Sequence, residues 1–197
     1  MNFLAHIFLS FGDKEITIGN FIADSIRANK FQHLPTKVQK GIKLHRHIDT
    51  YTDAHSIPKI SSRRLHANYS HYSRVIVDIY YDHFLAKNWS KYSDTPLDIF
   101  VEDFYDLLED NYEILPEGAK RMMPYMISDN WLYNYSKMEG IGNVLNGMNR
   151  RTKNKSKMNF AIIDLEEHYD SFEKEFTEFF EELITFSKHK YISLLNE

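Results

Sequence analysis

The stretch from Leu44 to His55 carries the residue types that bind metals and transfer protons. Half of its twelve residues are His, Asp or Arg, yet it lies within an apolar helical pattern. His45, Asp49 and Asp53 follow one another at intervals of four residues, so on a helix they share one face. Imidazole nitrogens and carboxylate oxygens are ligands that divalent cations accept. The spacing therefore predicts one wall of a metal site.

A second pair of acids repeats this spacing. Asp78 and Asp82 are four residues apart, and His83 follows directly, in a predicted helix that is apolar on nearly all sides. A carboxylate buried in such a helix needs a partner. We expect this helix to face the one that carries His45, with a divalent metal between them.

Two further candidates, His6 and Asp24, come from the first two predicted helices. A hydrolytic site needs imidazole and carboxylate ligands with at least one position left open for water. The predicted ligands all lie within residues 1–90, and they are His6, Asp24, His45, Asp49, Asp78 and Asp82.

The same residues also allow a purely structural interpretation. Arg46, Arg63 and Arg64 could neutralise the acids in a buried ion network. His45 would then be a core histidine whose nitrogens are satisfied by neighbouring groups. The set as a whole, rather than any single residue, is what favours a metal.

The composition indicates that helices make up the whole chain. The 197 residues include only 7 Gly and 5 Pro, 43% are apolar, and no segment alternates as a strand would. We predict an all-α fold, a single-domain helical bundle over residues 1–197. The absence of cysteine excludes disulfides, thiolate zinc sites and a cysteine nucleophile. A net charge of -4 argues against a general nucleic-acid binder.

Residues 1–11 are apolar but lack the basic segment and cleavage site of a signal peptide, and they are too short to span a bilayer. We therefore expect a buried first helix, no membrane span and a cytoplasmic protein. Seven further helices are predicted. They run over 16–30, from Pro35 through the central motif, from Pro58, from Ser70 to about Trp89, from Thr95-Pro96, between Pro116 and Pro124, and from about Asn159 to Leu195. In the last of these, the aromatic residues from Phe172 to Phe186 form a stripe that would pack in the core or in a dimer interface.

At four places the chain resembles the acyl carrier protein phosphodiesterases. Each stretch alone is weakly specific, but together their order and spacing match that family, and the region from Trp131 to Arg151 is similar as well. The four stretches are Met1–His6, Gly19–Asp24, Gly41–Asp49 with Thr52–His55, and Val77–Ala86.

The resemblance implies an HD-domain-like helical fold, in a divergent branch of the HD-type metal phosphohydrolases. This chain has no HD dipeptide, and Asp82-His83 stands there in reversed order. The implied reaction is hydrolysis of the diester that joins 4′-phosphopantetheine to a serine of holo-acyl carrier protein. Manganese, or another divalent metal, is the implied ion.

Roles for individual residues follow as expectations. The ion would be held by His45, Asp49 and Asp78, together with His6 or Asp24. His83 would protonate the leaving serine oxygen, and an arginine such as Arg64 would stabilise the phosphate oxygens. We count His83, Asp24 and Arg64 as the catalytic candidates.

An acidic carrier protein would dock by charge complementarity on a basic surface. Two surfaces are available, the loop over 150–157 and the segment with Arg27, Lys30, Lys37, Lys40 and Lys43. Two rival functions stay open: a metal phosphohydrolase for a nucleotide or other small phosphoester, and a non-enzymatic helical binding module.

Overall fold

A computed structural model describes residues 1–27 and 30–197, and this part of the chain folds as helices without strands. The predicted all-α class is thereby confirmed. The helices are α1 (Phe3–Phe8), α2 (Lys14–Ile22), α3 (Thr36–Ala54), α4 (Ser56–Tyr69), α5 (Ser73–Lys87), α6 (Leu97–Asp110), α7 (Glu117–Ser128), α8 (Trp131–Asn134), α9 (Met138–Arg151), α10 (Ala161–Glu167) and α11 (Tyr169–Leu195). Of the helices described, none combines the length and the hydropathy that a bilayer crossing requires.

Several helices start where the sequence predicts. α3 begins directly after Pro35 and α6 directly after Pro96, because the N–H that proline lacks has no partner in the first turn anyway. α2 begins at Lys14, slightly before the predicted start at residue 16, and Asp13 caps it by accepting a hydrogen bond from the N–H of Ile16 at 3.3 Å.

Other predicted limits are wrong. The helix expected over 16–30 ends at Ile22 and tightens into a 3-10 turn at Ala23–Ser25. Part of that expectation falls on Ala28 and Asn29, which lie outside the described residues. Pro58 does not open α4 but lies within its first turn, where no backbone hydrogen bond is lost.

The C-terminal part of the chain also departs from expectation. Pro124 does not end a helix but lies inside α7, at the cost of one backbone hydrogen bond. The long last helix is three pieces, a 3-10 turn at Met158–Phe160 followed by α10 and α11. The break falls at His168, where φ is −115° and ψ is 23°, outside the helical range.

α5 is the buried centre of the bundle, as predicted. It packs against α1, α4, α9 and α11, and its Tyr80, Tyr81 and Phe84 are fully buried. The aromatic stripe of α11 meets them, for example where Phe172 lies edge-on against Tyr80 at a ring distance of 5.0 Å. Burial of each large side chain of this kind contributes about 1.5–3 kcal/mol.

α2 and α3 cross at two glycines. A Cβ atom on Gly19 would lie 2.0 Å from the carbonyl oxygen of Val38, and one on Gly41 would lie 2.2 Å from that of Ile16. Only residues without a side chain allow two backbones to approach so closely. The crossing brings Asn20, the neighbour of Gly19, against the part of α3 that carries His45.

We expect Gly41→Ala to lower the free energy of unfolding by about 3 kcal/mol, because the new methyl group meets backbone atoms that cannot move aside. Gly147→Ala in α9 is the matched control, since its Cβ would meet nothing within 4 Å. The control should be stabilised by about 0.5–1 kcal/mol through helix propensity. Urea unfolding measures both, and equal effects at the two positions would contradict the close crossing.

Candidate metal centre

Two imidazoles from different helices stack on each other at the end of the α2–α3 crossing. His6 on α1 and His45 on α3 have ring centroids 3.9 Å apart and an interplanar angle of 16°. Their exposed fractions are only 3% and 4%. Their Nε2 atoms point toward the same side, since both lie close to the carboxylate of Asp49.

Asn20 orients both rings. Its side-chain oxygen lies 2.8 Å from Nδ1 of His6, and its backbone carbonyl lies 2.8 Å from Nδ1 of His45. Because both oxygens can only accept, each Nδ1 carries a proton, so either ring has its lone pair on Nε2 when it is neutral. The Asn20 amide nitrogen is tied to the carbonyl of His6 at 2.8 Å, which defines the rotamer. Metal-binding histidines are commonly held in this way through the second ring nitrogen.

Carboxylates meet the two Nε2 atoms. Asp49 lies one turn after His45 on α3, with Oδ2 3.0 Å from Nε2 of His45 and Oδ1 3.2 Å from Nε2 of His6. Asp24, in the 3-10 turn after α2, places Oδ1 3.2 Å from Nε2 of His45. The predicted His45–Asp49 spacing therefore does bring these side chains together, and His6 and Asp24 join them.

The charges of the cluster are coupled. Burial opposes a charge on His45, but its contacts with Asp24 and Asp49 prevail and raise its pKa to about 9. Burial and the neighbouring charge of His45 lower the pKa of His6 to about 4. Burial would raise the pKa of Asp49, but its contacts with both histidines outweigh this and hold the pKa below its ordinary value. The carboxylates thus favour a positive charge at Nε2 of His45, while His6 stays neutral, and a cation would bind at the same place.

The residues present fit a divalent cation. Nε2 of His6 is buried and has no hydrogen-bond partner, although Oδ1 of Asp49 is 3.2 Å away. One ligand atom each from His6, His45 and Asp49 can be chosen so that the three lie close together. The carboxylate of Asp49 is 3.0 and 3.2 Å from the two Nε2 atoms, a separation that two ligands about 2.1 Å from a common ion can have. Within residues 1–27 and 30–197, no second group of three His, Asp or Glu side chains brings its ligand atoms this close together.

The cluster adjoins a pocket of about 230 Å³, which Asp24 and Asp49 line. Asp78 lines the same pocket, but its Oδ1 is 3.1 Å from the α-amino group of Met1. That amino group also lies 3.9 Å from Oδ1 of Asp49. Asp78 therefore stands beside the cluster with its charge already partnered, and its pKa is raised because burial outweighs that contact.

The structure does not bring Asp82, His83 or Arg64 to this cluster. Asp82 is fully buried and accepts hydrogen bonds from the backbone N–H groups of Leu4, at 2.7 Å, and Ala5, at 3.2 Å. These donors belong to the first turn of α1, which otherwise lacks a side-chain cap. Asp82 therefore holds α1 in place.

His83 and Arg64 are engaged with other partners. His83 is buried, with Nδ1 2.7 Å from the carbonyl of Tyr135 and Nε2 2.8 Å from the hydroxyl of Tyr169. Arg64 makes a two-pronged contact with Glu175, with nitrogen–oxygen distances of 2.9 and 2.5 Å. In the part of the chain that the structure describes, Asp49 contacts the two histidines and the Met1 amino group, and Arg64 binds Glu175 instead of an acid of this cluster.

Asn20 is the residue that sequence reasoning missed. It lies in the Gly19–Asp24 stretch and is fully buried among apolar residues of α2. A polar amide on an apolar helical face is the signal that could have identified it, since such a group must be hydrogen-bonded.

The whole chain matches known proteins. The family model described as acyl carrier protein phosphodiesterase matches residues 1–183. Proteins of that name from Escherichia coli O139:H28 and Salmonella newport are each 34% identical to this chain, over 96% of it and 99% of their own lengths. One from Photorhabdus laumondii is 32% identical over 96% of both chains. No solved structure matches significantly. The chain belongs to the acyl carrier protein phosphodiesterase family.

We expect Asp82→Ala to lower the free energy of unfolding by about 1–3 kcal/mol, because two buried N–H groups of α1 lose their acceptor. Asp106→Ala, at an exposed position of α6, is the control and should change stability little. Chemical denaturation measures both. If Asp82→Ala unfolds like the wild type, the carboxylate is not what holds α1.

Proposed function

We propose that this protein is a metal-dependent phosphodiester hydrolase that releases 4′-phosphopantetheine from holo-acyl carrier protein. The observation that carries the proposal is the group of His6, His45 and Asp49 beside an open pocket. The family and its relatives are named for this activity. Manganese as the ion, the carrier protein as partner and a cytoplasmic location belong to the same proposal and extend the family resemblance.

His6, His45 and Asp49 would hold the ion, with Asp24 at its open side. A bound divalent cation supplies Lewis acidity, which activates water and offsets negative charge on the phosphate. Asn20 keeps a lone pair of each imidazole directed at the ion by binding the opposite ring nitrogen.

Asp24 is the residue that we assign to the attacking water. Its side chain is 75% exposed and lines the pocket. The hydrogen bond with His45 lowers the pKa of Asp24 below its ordinary value, so the carboxylate is ionised at neutral pH. A carboxylate in this position can accept the proton that the water loses as it attacks phosphorus.

The basic loop is the better of the two surfaces proposed for docking an acidic carrier. On the alternative surface, Lys37 pairs with Asp13 at 2.9 Å, Lys43 pairs with Glu197 at 3.2 Å, and Lys40 contacts the carbonyl of Leu195. The side chains of Arg150, Arg151, Lys153, Lys155 and Lys157 are exposed.

Incubation of the protein with holo-carrier and Mn²⁺, followed by the mass of the carrier, tests the function directly. The wild type should convert holo-carrier to apo-carrier. Asp49→Ala and Asp24→Ala should each lower turnover by at least about a thousandfold, because each removes a group from the reacting centre. The helical circular dichroism should stay nearly unchanged, and Asp106→Ala is the control.

Metal content shows whether Asp49 acts by holding the ion. Asp49→Ala should retain less than a tenth of the wild-type manganese after gel filtration, as measured by plasma mass spectrometry. Full turnover in either variant would remove that residue from the site. If the wild type retains no divalent ion and chelation changes none of its properties, the protein is a non-enzymatic binding module. If it cleaves small phosphoesters but not holo-carrier, it is a metal phosphohydrolase for a small substrate.

Charge reversal tests the docking surface. The double variant Arg150→Glu with Arg151→Glu should raise KM for the carrier about tenfold at low ionic strength and less at high salt, since screening weakens the attraction. Lys14→Glu with Lys91→Glu is a matched reversal at exposed positions elsewhere. If KM and its salt dependence stay unchanged in the loop variant, the carrier binds on another surface.

A further inference from the structure

The pocket beside the candidate metal centre is lined by two cationic side chains that have no role in the proposed function. Lys59, from the first turn of α4, and Arg74, from the first turn of α5, both line it. Four carboxylates line the same pocket, those of Asp24, Asp49, Asp53 and Asp78. We propose that Lys59 and Arg74 form the subsite that binds the phosphate oxygens of the substrate, an inference that rests on the proposed hydrolase.

Arg74 is available for such a ligand. Its Nη1 lies 3.5 Å from Oδ1 of Asp53, and the two side chains are 64% and 65% exposed. This separation is longer than an ordinary hydrogen bond, and an exposed ion pair of this kind contributes little to stability. Exchanging Asp53 for a phosphate oxygen therefore costs little, whereas a guanidinium can bind phosphate through two parallel hydrogen bonds.

Lys59 is positioned at the pocket by one hydrogen bond that uses only part of its donor capacity. Its Nζ donates one hydrogen bond to the carbonyl of Ala54, at the end of α3, at 2.8 Å. An ammonium has three N–H donors, so two of them stay available for an anion. The bond to Ala54 also fixes the direction of a side chain that is otherwise flexible.

Arg64, by contrast with Arg74, has a structural role. Both of its outer nitrogens bind Glu175, and its guanidinium lies 4.7 Å from the centre of the Phe172 ring. Its side chain is 23% exposed, against 64% for Arg74. The arginine expected from the sequence is thus committed to packing α4 on α11, and Arg74 occupies the position that a phosphate can reach.

The charge of the pocket explains why phosphate binding would require both Lys59 and Arg74. The four carboxylates of the pocket face the cations of Lys59, Arg74 and the Met1 amino group. With four carboxylates against three cations, this lining has no excess of positive charge with which to attract a phosphodiester anion. With a divalent ion on Asp49 the balance becomes positive, so anion binding by this pocket should need both the ion and the two side chains.

The test measures binding of 4′-phosphopantetheine, the small product of the proposed reaction, by isothermal titration calorimetry on manganese-loaded protein. Arg74→Ala and Lys59→Ala should each weaken binding about tenfold, and the double variant about a hundredfold. Metal content and melting temperature should match the wild type. Arg74→Lys should restore part of the affinity, since it keeps the charge but not the fork.

Arg121→Ala and Lys91→Ala are matched controls at exposed positions outside the pocket, and they should bind like the wild type. Unchanged binding in Arg74→Ala and Lys59→Ala, or no measurable binding by the wild type, overturns the subsite. If the wild type cleaves holo-carrier while these variants bind normally, the inference fails and the hydrolase stands. If the variants lose binding while the wild type does not cleave holo-carrier, the subsite stands and the proposed reaction fails.

Discussion

Asn20 binds both histidines of the candidate centre, one through its side-chain amide and one through its backbone carbonyl. This pair of contacts sets the tautomer and the direction of each ring. It also requires α2 to lie very close to α3, because a backbone carbonyl can reach His45 only across a short distance. Gly19 and Gly41 provide that distance. The close packing of α2 on α3 and the orientation of the two imidazoles therefore depend on each other.

The same centre depends on α1, which supplies His6. Asp82 holds this short helix from the buried side by accepting two of its backbone N–H groups. Burial raises the pKa of Asp82 to about 7, although the hydrogen bonds from α1 oppose this. A buried carboxylate at this place serves architecture, and it is one turn away from Asp78, which faces the pocket.

Sequence reasoning predicted those parts of the centre that local spacing controls. His45 and Asp49 share one helix, so four residues of spacing suffice to bring Nε2 and Oδ2 to 3.0 Å. The helical class also follows from periodicity and from the scarcity of glycine and proline. Asp82 and Arg64 are of the same residue types, but their partners lie 78 and 111 positions away along the chain. No local pattern specifies a partner at such a distance. The sequence alone therefore could not distinguish these side chains from the residues of the candidate centre.

Six residues make up α1, too few for a helix that persists alone in water. The position of His6 therefore depends on the packing of α1 against α2 and α5 and on the stacking of its ring on His45 of α3. Binding of an ion at this candidate centre would therefore be thermodynamically linked to folding. A cation that binds the assembled site but not the unfolded chain raises the melting temperature as its concentration exceeds its dissociation constant. Melting curves recorded with salts of different divalent metals would rank those metals by affinity, with no substrate in the tube.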